Sequence, residues 1–163
     1  METVMHELPP VFDASSRVLI LGSLPSPRSR QIGFYYGHPQ NRFWRVLSAV
    51  MEQEIPEDPA GKRRFLLDNH IALWDVIASC EITGAQDASI RNVTANDLRV
   101  ILDVAPIRVI FTTGKTAAKW YDRLLKPQTG IPAVVLPSPS PANCAISAEQ
   151  LIDAYRQIAD ALQ

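Results

Sequence analysis

The sequence predicts a three-layer α/β/α sandwich around a central, mostly parallel four-stranded sheet, in a single domain over residues 1–163. Three observations carry that expectation. Four short apolar runs alternate with segments of helical periodicity, the pattern of strands joined by helical crossovers. With 163 residues, 47% of them apolar, the chain can bury a core without covalent staples. No repeat, linker or low-complexity tract divides it.

The elements follow in order. Arg17 to Gly22 (RVLILG) is an apolar run closed by glycine and reads as a buried strand. Ser23 to Gln40, rich in Pro, Gly and Ser, reads as one long loop, and a loop of that length in a compact fold is usually functional. Apolar Phe43, Trp44, Val46, Leu47 and Val50 fit one face of a helix, with Asn41 as its N-cap. Pro59 to His70 is a second helix and Ile71 to Val76 a second strand, followed by a polar loop to Val93. Thr94 and Asp97 have capping-box spacing and open a helix to about Val104. Arg108 to Thr113 is the third strand, and Gly114 starts a helix through Leu125. Ala133 to Leu136 is the fourth strand, and Ser147 to Leu162 the closing helix.

Net charge is −1, which on its own argues against a protein that coats nucleic acid. The distribution reverses that reading. Residues 14–51 hold Arg17, Arg28, Arg30, Arg42 and Arg45 with no acid, and residues 104–148 hold Arg108, Lys115, Lys119, Arg123 and Lys126 against Asp122 alone. If both segments share a face, that face suits a polyanion and its binding should weaken with salt. No apolar run reaches the roughly 18 residues of a membrane span, and the N-terminus lacks a secretory pattern. Two cysteines, Cys80 and Cys144, supply neither a four-cysteine cluster nor a disulfide framework.

In parallel α/β sheets, ligands sit beyond the carboxyl ends of the strands. The segments to inspect are therefore Ser23–Gln40, Asp75–Asn92, Thr113–Lys115 and Pro137–Asn143. Six of the 13 prolines (Pro25, Pro27, Pro39, Pro137, Pro139, Pro141) lie in the first and last of these, and stiff loops suit a preformed pocket. Arg28, Arg30 and the turn Gly22–Ser26 are candidates for phosphate contact. Tyr35 and Tyr36 precede a helix in an acid-free segment and offer stacking faces for a nucleobase, whereas Phe43 and Trp44 belong to the core. His38 and Asn41 can bond a base edge or a water, and Ser138 and Ser140 can hold a phosphate. Gly114-Lys115-Thr116 lacks the upstream glycine of a Walker loop. There is no GxSxG elbow, and His6, His38 and His70 show no metal-ligand spacing.

GSLPS (22–26), FYYGHPQNRFW (34–44), LWDV (73–76) and LPSPSPAN (136–143), in that order, resemble the uracil-DNA glycosylase superfamily over nearly the whole chain. HPQNRFW resembles its mismatch-specific uracil branch, and the set is closer still to the hypoxanthine-DNA (deoxyinosine) glycosylase branch. The resemblance implies a monofunctional enzyme that hydrolyses the N-glycosidic bond of a flipped deaminated base, most plainly hypoxanthine. Two departures matter. Leu24 stands where most of the superfamily has a water-positioning Asp or Asn, and Leu136 where His or Asn supports the leaving base. Carried over from the hypoxanthine branch, Asn41 is then the catalytic residue, with slow turnover expected. Asp75 takes the position of the base-reading Asn; a carboxylate acceptor there favours hypoxanthine, which has an N1–H, over adenine, which has a lone pair.

The same resemblance implies base contacts from Gly22, Ser23, Leu24, Pro25, Tyr36, His38 and Asp75. It implies DNA contacts from Ser26, Arg28, Lys115, Pro137, Ser138, Ser140, Ala142 and Asn143, the last two in the wedge region. It implies no cofactor, no metal or iron–sulfur cluster, no membrane, and a monomer acting on DNA with a deaminated base in the cytoplasm, nucleoid-associated in a bacterium. Two alternatives stay open: a glycosylase for uracil mispaired with guanine, and a non-catalytic nucleic-acid-binding module.

Overall fold

A computed structural model describes residues 1–84 and 86–163. Its strands are β1 (Glu2–Met5), β2 (Val18–Gly22), β3 (Ile71–Asp75), β4 (Ile77–Ile82), β5 (Arg91–Ala95), β6 (Val109–Thr113) and β7 (Ala133–Leu136). Its α-helices are α1 (Pro27–Ile32), α2 (Phe43–Met51), α3 (Pro59–Asp68), α4 (Arg99–Leu102), α5 (Lys115–Trp120), α6 (Lys126–Thr129) and α7 (Ala148–Leu162). The four strands expected from the apolar runs form one parallel sheet in the order β3-β2-β6-β7. Every residue of β2 and β3 is buried, so both faces of the sheet are covered at these two strands, as their continuous apolar sequence requires. Helix α7 packs on β2 and against α2, while α5 covers β6 and β7. Val11 exchanges backbone hydrogen bonds with Leu73 and blunts the outer edge of β3.

The largest difference from expectation lies after β3. The stretch to Val93 is not a polar loop but β4, a 3₁₀ turn at Asp87–Ser89 and the start of β5; Ala85 lies outside the described residues. With β1 these strands make an antiparallel sheet, β1-β4-β5. The chain changes sheet at Val76, whose N–H donates to Gly22 O at 2.8 Å. Buried Asn96 holds the corner, with Nδ2 donating to Asp75 O at 2.9 Å and Ile77 O at 3.3 Å. The β4–β5 pairing carries register shifts, which erases the strict alternation that would mark these strands in sequence.

Three local expectations also need correction. Thr94 lies in β5, and α4 is only Arg99–Leu102: the Asp97 carboxylate accepts from Arg99 N–H and pairs with its guanidinium, so no capping box forms. The Ser23–Gln40 segment contains α1, begun by Pro27 and capped by Ser26. Helix α2 starts at Phe43 with Arg42 at the backbone N-cap position, although the capping side chain is still that of Asn41, whose Oδ1 accepts from Phe43 N–H at 2.9 Å.

Candidate active site

The carboxyl ends of β2, β3, β6 and β7 open into one cavity of about 690 Å³. Gly22 ends β2 at its floor for a steric reason. A Cβ there would sit 2.5 Å from Asp75 Oδ1, 3.1 Å from Tyr36 Oη and 3.6 Å from Thr113 Oγ1, so three polar groups from three elements converge over a bare backbone. Asp75 closes β3, Thr113 closes β6, and their burial is nearly complete. His6, in the segment just past β1, bonds Asp75 Oδ2 through Nε2 at 2.8 Å. In the tautomer with its hydrogen on Nε2, the imidazole donates and the carboxylate oxygen accepts.

Tyr36 forms a wall. Its ring stacks on Phe43 at 3.9 Å and 12°, and its hydroxyl bonds Thr113 Oγ1 at 2.8 Å. Its φ of +52° is a left-handed conformation that tyrosine rarely adopts, held here by the stack and the hydroxyl bond. Burial drives its phenol well above the ordinary value, and the negative charge of Asp75 adds to the effect. Tyr35 and Tyr155 are raised by burial as well. A raised phenol is favoured protonated in the fold, so its stabilisation is complete below the unfolded value of about 10 and is lost as pH rises above it. The chemical-denaturation midpoint is therefore expected to fall steeply above about pH 10 and to depend little on these groups below it.

Asn41 lines the cavity beside Tyr36 while capping α2. That bond fixes the amide: Oδ1 must face Phe43 N–H, and Nδ2 with the second Oδ1 lone pair is left to the cavity. One side chain thus caps α2 and lines the cavity.

The opposite rim is the 137–146 loop, fastened from two helices. Tyr155 of α7 donates to Pro137 O at 2.7 Å. Arg42 donates from Nη1 to Ile146 O at 2.7 Å and from Nη2 to Asn143 O at 3.0 Å and, weakly, to Ser140 O at 3.5 Å. Inside the loop, Ser138 Oγ accepts from Ser140 N–H, Ser140 Oγ from Ala142 N–H, and Asn143 Nδ2 donates to Ser138 O. Both serine hydroxyls thus fold the loop by accepting and keep their O–H for an external acceptor. Gly114, with φ of +96°, lets Ser138 approach: a Cβ would lie 3.1 Å from Ser138 Cβ. The Arg42→Ala variant is expected to lose about 2 kcal/mol in urea unfolding and to bind DNA more weakly, with Arg42→Lys a poor substitute because an ammonium lacks the planar fork.

Of the residues singled out in sequence, Gly22, Ser23, Leu24, Pro25, Ser26, Tyr36, Asn41, Asp75, Lys115, Pro137, Ser138, Ser140 and Asn143 all line this cavity. Three do not. His38 and Arg28 border a separate shallow hollow with Pro39 and Gln40, and His38 Nδ1 accepts from Gln40 N–H, so His38 is not placed for base contact. Ala142 is exposed outside the cavity. Ser26 has its hydroxyl engaged in capping α1, accepting from Ser29 N–H and donating to Ser29 Oγ. Arg30 rather than Arg28 lines the cavity, and its Nε is buried without a partner among the described residues. Arg42, counted in sequence among the outward cations, is committed to loop carbonyls. His6 was not singled out; its only sequence signal is being a histidine, because its partner stands 69 positions away. Among the described residues no three His, Cys, Asp or Glu side chains gather as a metal site, and no helix is long and apolar enough to cross a membrane.

A pocket with a stacked aromatic wall and an acceptor floor has the shape and polarity to suit a flat ring with hydrogen-bonding edges, and it lies at the carboxyl ends of a doubly wound parallel sheet, where ligands of such folds bind. The Uracil DNA glycosylase superfamily model matches residues 9–161, and the chain belongs to that superfamily. It is 34% identical over 137 residues to a protein of Methanosarcina barkeri named hypoxanthine DNA glycosylase, covering 83% of this chain and 85% of the relative. A Methanosarcina acetivorans protein of the same name is 36% identical over 142 residues, with 86% and 89% covered. The fold matches a solution NMR structure of a candidate uracil DNA glycosylase from Methanosarcina acetivorans with a TM-score of 0.78, 31% identity, and 97% and 99% of the two chains covered.

Proposed function

We propose that residues 1–163 act as one monofunctional DNA glycosylase domain that removes hypoxanthine from deoxyinosine and leaves an abasic site. The observation that carries this reading is the presence of Asn41 and Asp75 in one cavity, the first able to hold a water and the second presenting an acceptor at the floor. The names of the Methanosarcina relatives point the same way.

The flipped base enters with one face against Tyr36, whose other face is taken by Phe43. Asp75 Oδ1 accepts N1–H of hypoxanthine; adenine offers a lone pair there and is repelled. The C1′–N9 bond breaks with its electron pair leaving on the base, and the sugar develops oxocarbenium character. Asn41 holds the water whose oxygen joins C1′, and its carbonyl dipole stabilises the cation; the proton the water sheds passes to solvent, and the departing base anion takes one from solvent to leave as neutral hypoxanthine. An amide is no general base, so a weak nucleophile attacks a strongly electrophilic carbon, and turnover is slow. Arg30 and Lys115, one from each basic segment, line the cavity and meet the phosphates with the Ser138 and Ser140 hydroxyls. The protein works as a monomer on genomic DNA in the cytoplasm, without metal or cofactor.

Labelled duplexes carrying inosine, uracil, xanthine or thymine opposite each base, treated with protein and then alkali, test the reading. Cleavage at inosine is expected. Cleavage at uracil alone favours the mismatch-uracil reading, and no cleavage anywhere leaves a binding module. In the same assay Asp75→Asn is expected to narrow the preference for inosine over adenosine; an unchanged preference removes Asp75 as the reader.

A further inference from the structure

We propose that His6 is a positioning residue for base recognition: it holds the Asp75 carboxylate in the one orientation that reads the base. This rests on the glycosylase reading above and deepens it.

The placement of His6 is built rather than incidental. Strand β1 pairs antiparallel with β4, with Met5 opposite Ser79, and His6 N–H extends the ladder by donating to Ala78 O at 2.7 Å. Because β4 follows Asp75 with only Val76 between them, this ladder delivers residue 6 to the end of β3. The side chains are 1% and 5% exposed, and the rings of Tyr35 and Trp74 lie 6.1 and 6.5 Å from the imidazole. Among the described residues, no other side chain bonds the Asp75 carboxylate.

The two oxygens of Asp75 therefore have different duties. Oδ2 is taken by His6, while Oδ1 lies over Gly22 beside Tyr36 Oη, at the cavity floor. The terminal torsion of an aspartate is broad and has no sharp minimum of its own. Without a donor on Oδ2 the carboxylate plane turns freely, and the lone pair aimed at the base loses its direction. A buried carboxylate also needs a hydrogen-bond donor to offset the water it has lost. His6 supplies both, and the small antiparallel sheet is the device that holds it there.

The test compares wild type, His6→Leu and His6→Gln. Gln reaches with an N–H2 to the position of imidazole Nε2, so it keeps the donor; Leu removes it. Single-turnover excision from an inosine duplex is measured beside affinity for a duplex carrying a tetrahydrofuran abasic analogue, which has no base to read. His6→Leu is expected to excise about tenfold or more slowly, as when the outer partner of a binding group is lost. Its affinity for the abasic duplex should stay unchanged, and His6→Gln should recover most of the rate. Wild-type excision by His6→Leu overturns the proposal. So do parallel losses of excision and abasic-DNA affinity, which mark a general structural role, and so does a His6→Gln as slow as His6→Leu. A wild-type chain that excises uracil and not inosine overturns the substrate reading alone, and the same trio on uracil, whose N3–H is also a donor, then decides His6. No excision on any duplex overturns both.

Discussion

Replacing Asn41 with alanine is expected to lower the single-turnover rate of inosine excision by about 10²–10³-fold, the loss typical of a removed transition-state dipole. The same substitution deletes the cap on Phe43 N–H and should cost about 1 kcal/mol of stability. The two effects are separable. Serine is also a good capping residue but is too short to hold a water against the sugar. Asn41→Ser is therefore expected to unfold near the wild-type urea midpoint and still to excise as poorly as the alanine variant. Recovery of excision along with stability would make Asn41 a helix cap and nothing more. Leu24 and Leu136 line the same cavity and bring no polar side chain to it, so on the proposed reading no neighbouring group at those two positions offsets the loss.

Gly22→Ala is the second large effect. The added methyl would stand 2.5 Å from Asp75 Oδ1, closer than real Cβ contacts allow, and 3.1 Å from Tyr36 Oη. Neither neighbour moves cheaply: Asp75 is held by His6, and Tyr36 by Thr113 and Phe43. An overpacked site of this kind costs about 1–3 kcal/mol. Displacing the carboxylate by about 1 Å should reduce excision by about 10²-fold. The check is paired: a denaturation curve for the stability loss and single-turnover excision for the rate. An active Gly22→Ala with an unshifted unfolding midpoint would mean that Asp75 is not fixed at the floor as described.

The central sheet was legible because β2 and β3 are buried throughout and β6 nearly so, and each reads as an apolar run; the edge strand β7, with Val135 exposed, is short but equally apolar in sequence. The carboxyl-end rule then pointed to loops that the fold brings together, and most of the residues chosen from them line one cavity. What escaped detection depends on partners far away in sequence. Strands β4 and β5 carry bulges and half-exposed polar residues, so their period is broken, and β1 is four residues of no clear pattern. Arg42 looks like any cation facing outward, and only the fold shows its guanidinium spent on the 137–146 loop. His38 sits in the motif that carries the strongest resemblance, yet the turn around Pro39 directs it into a separate hollow. His6 sits in none of the motifs, and a strand pairing that the sequence does not reveal brings it to Asp75. The net charge hides that Arg30 and Lys115, one from each basic segment, line the same cavity.

On the proposed reading, this cavity hydrolyses the bond between deoxyribose and hypoxanthine. The most direct measurement is chromatography of the products after incubation with a duplex carrying a single deoxyinosine. Free hypoxanthine is expected to appear in equal amount with alkali-labile abasic sites, and to vanish for Asn41→Ala. Intact inosine DNA after prolonged incubation with folded protein, with no free base released, would contradict it.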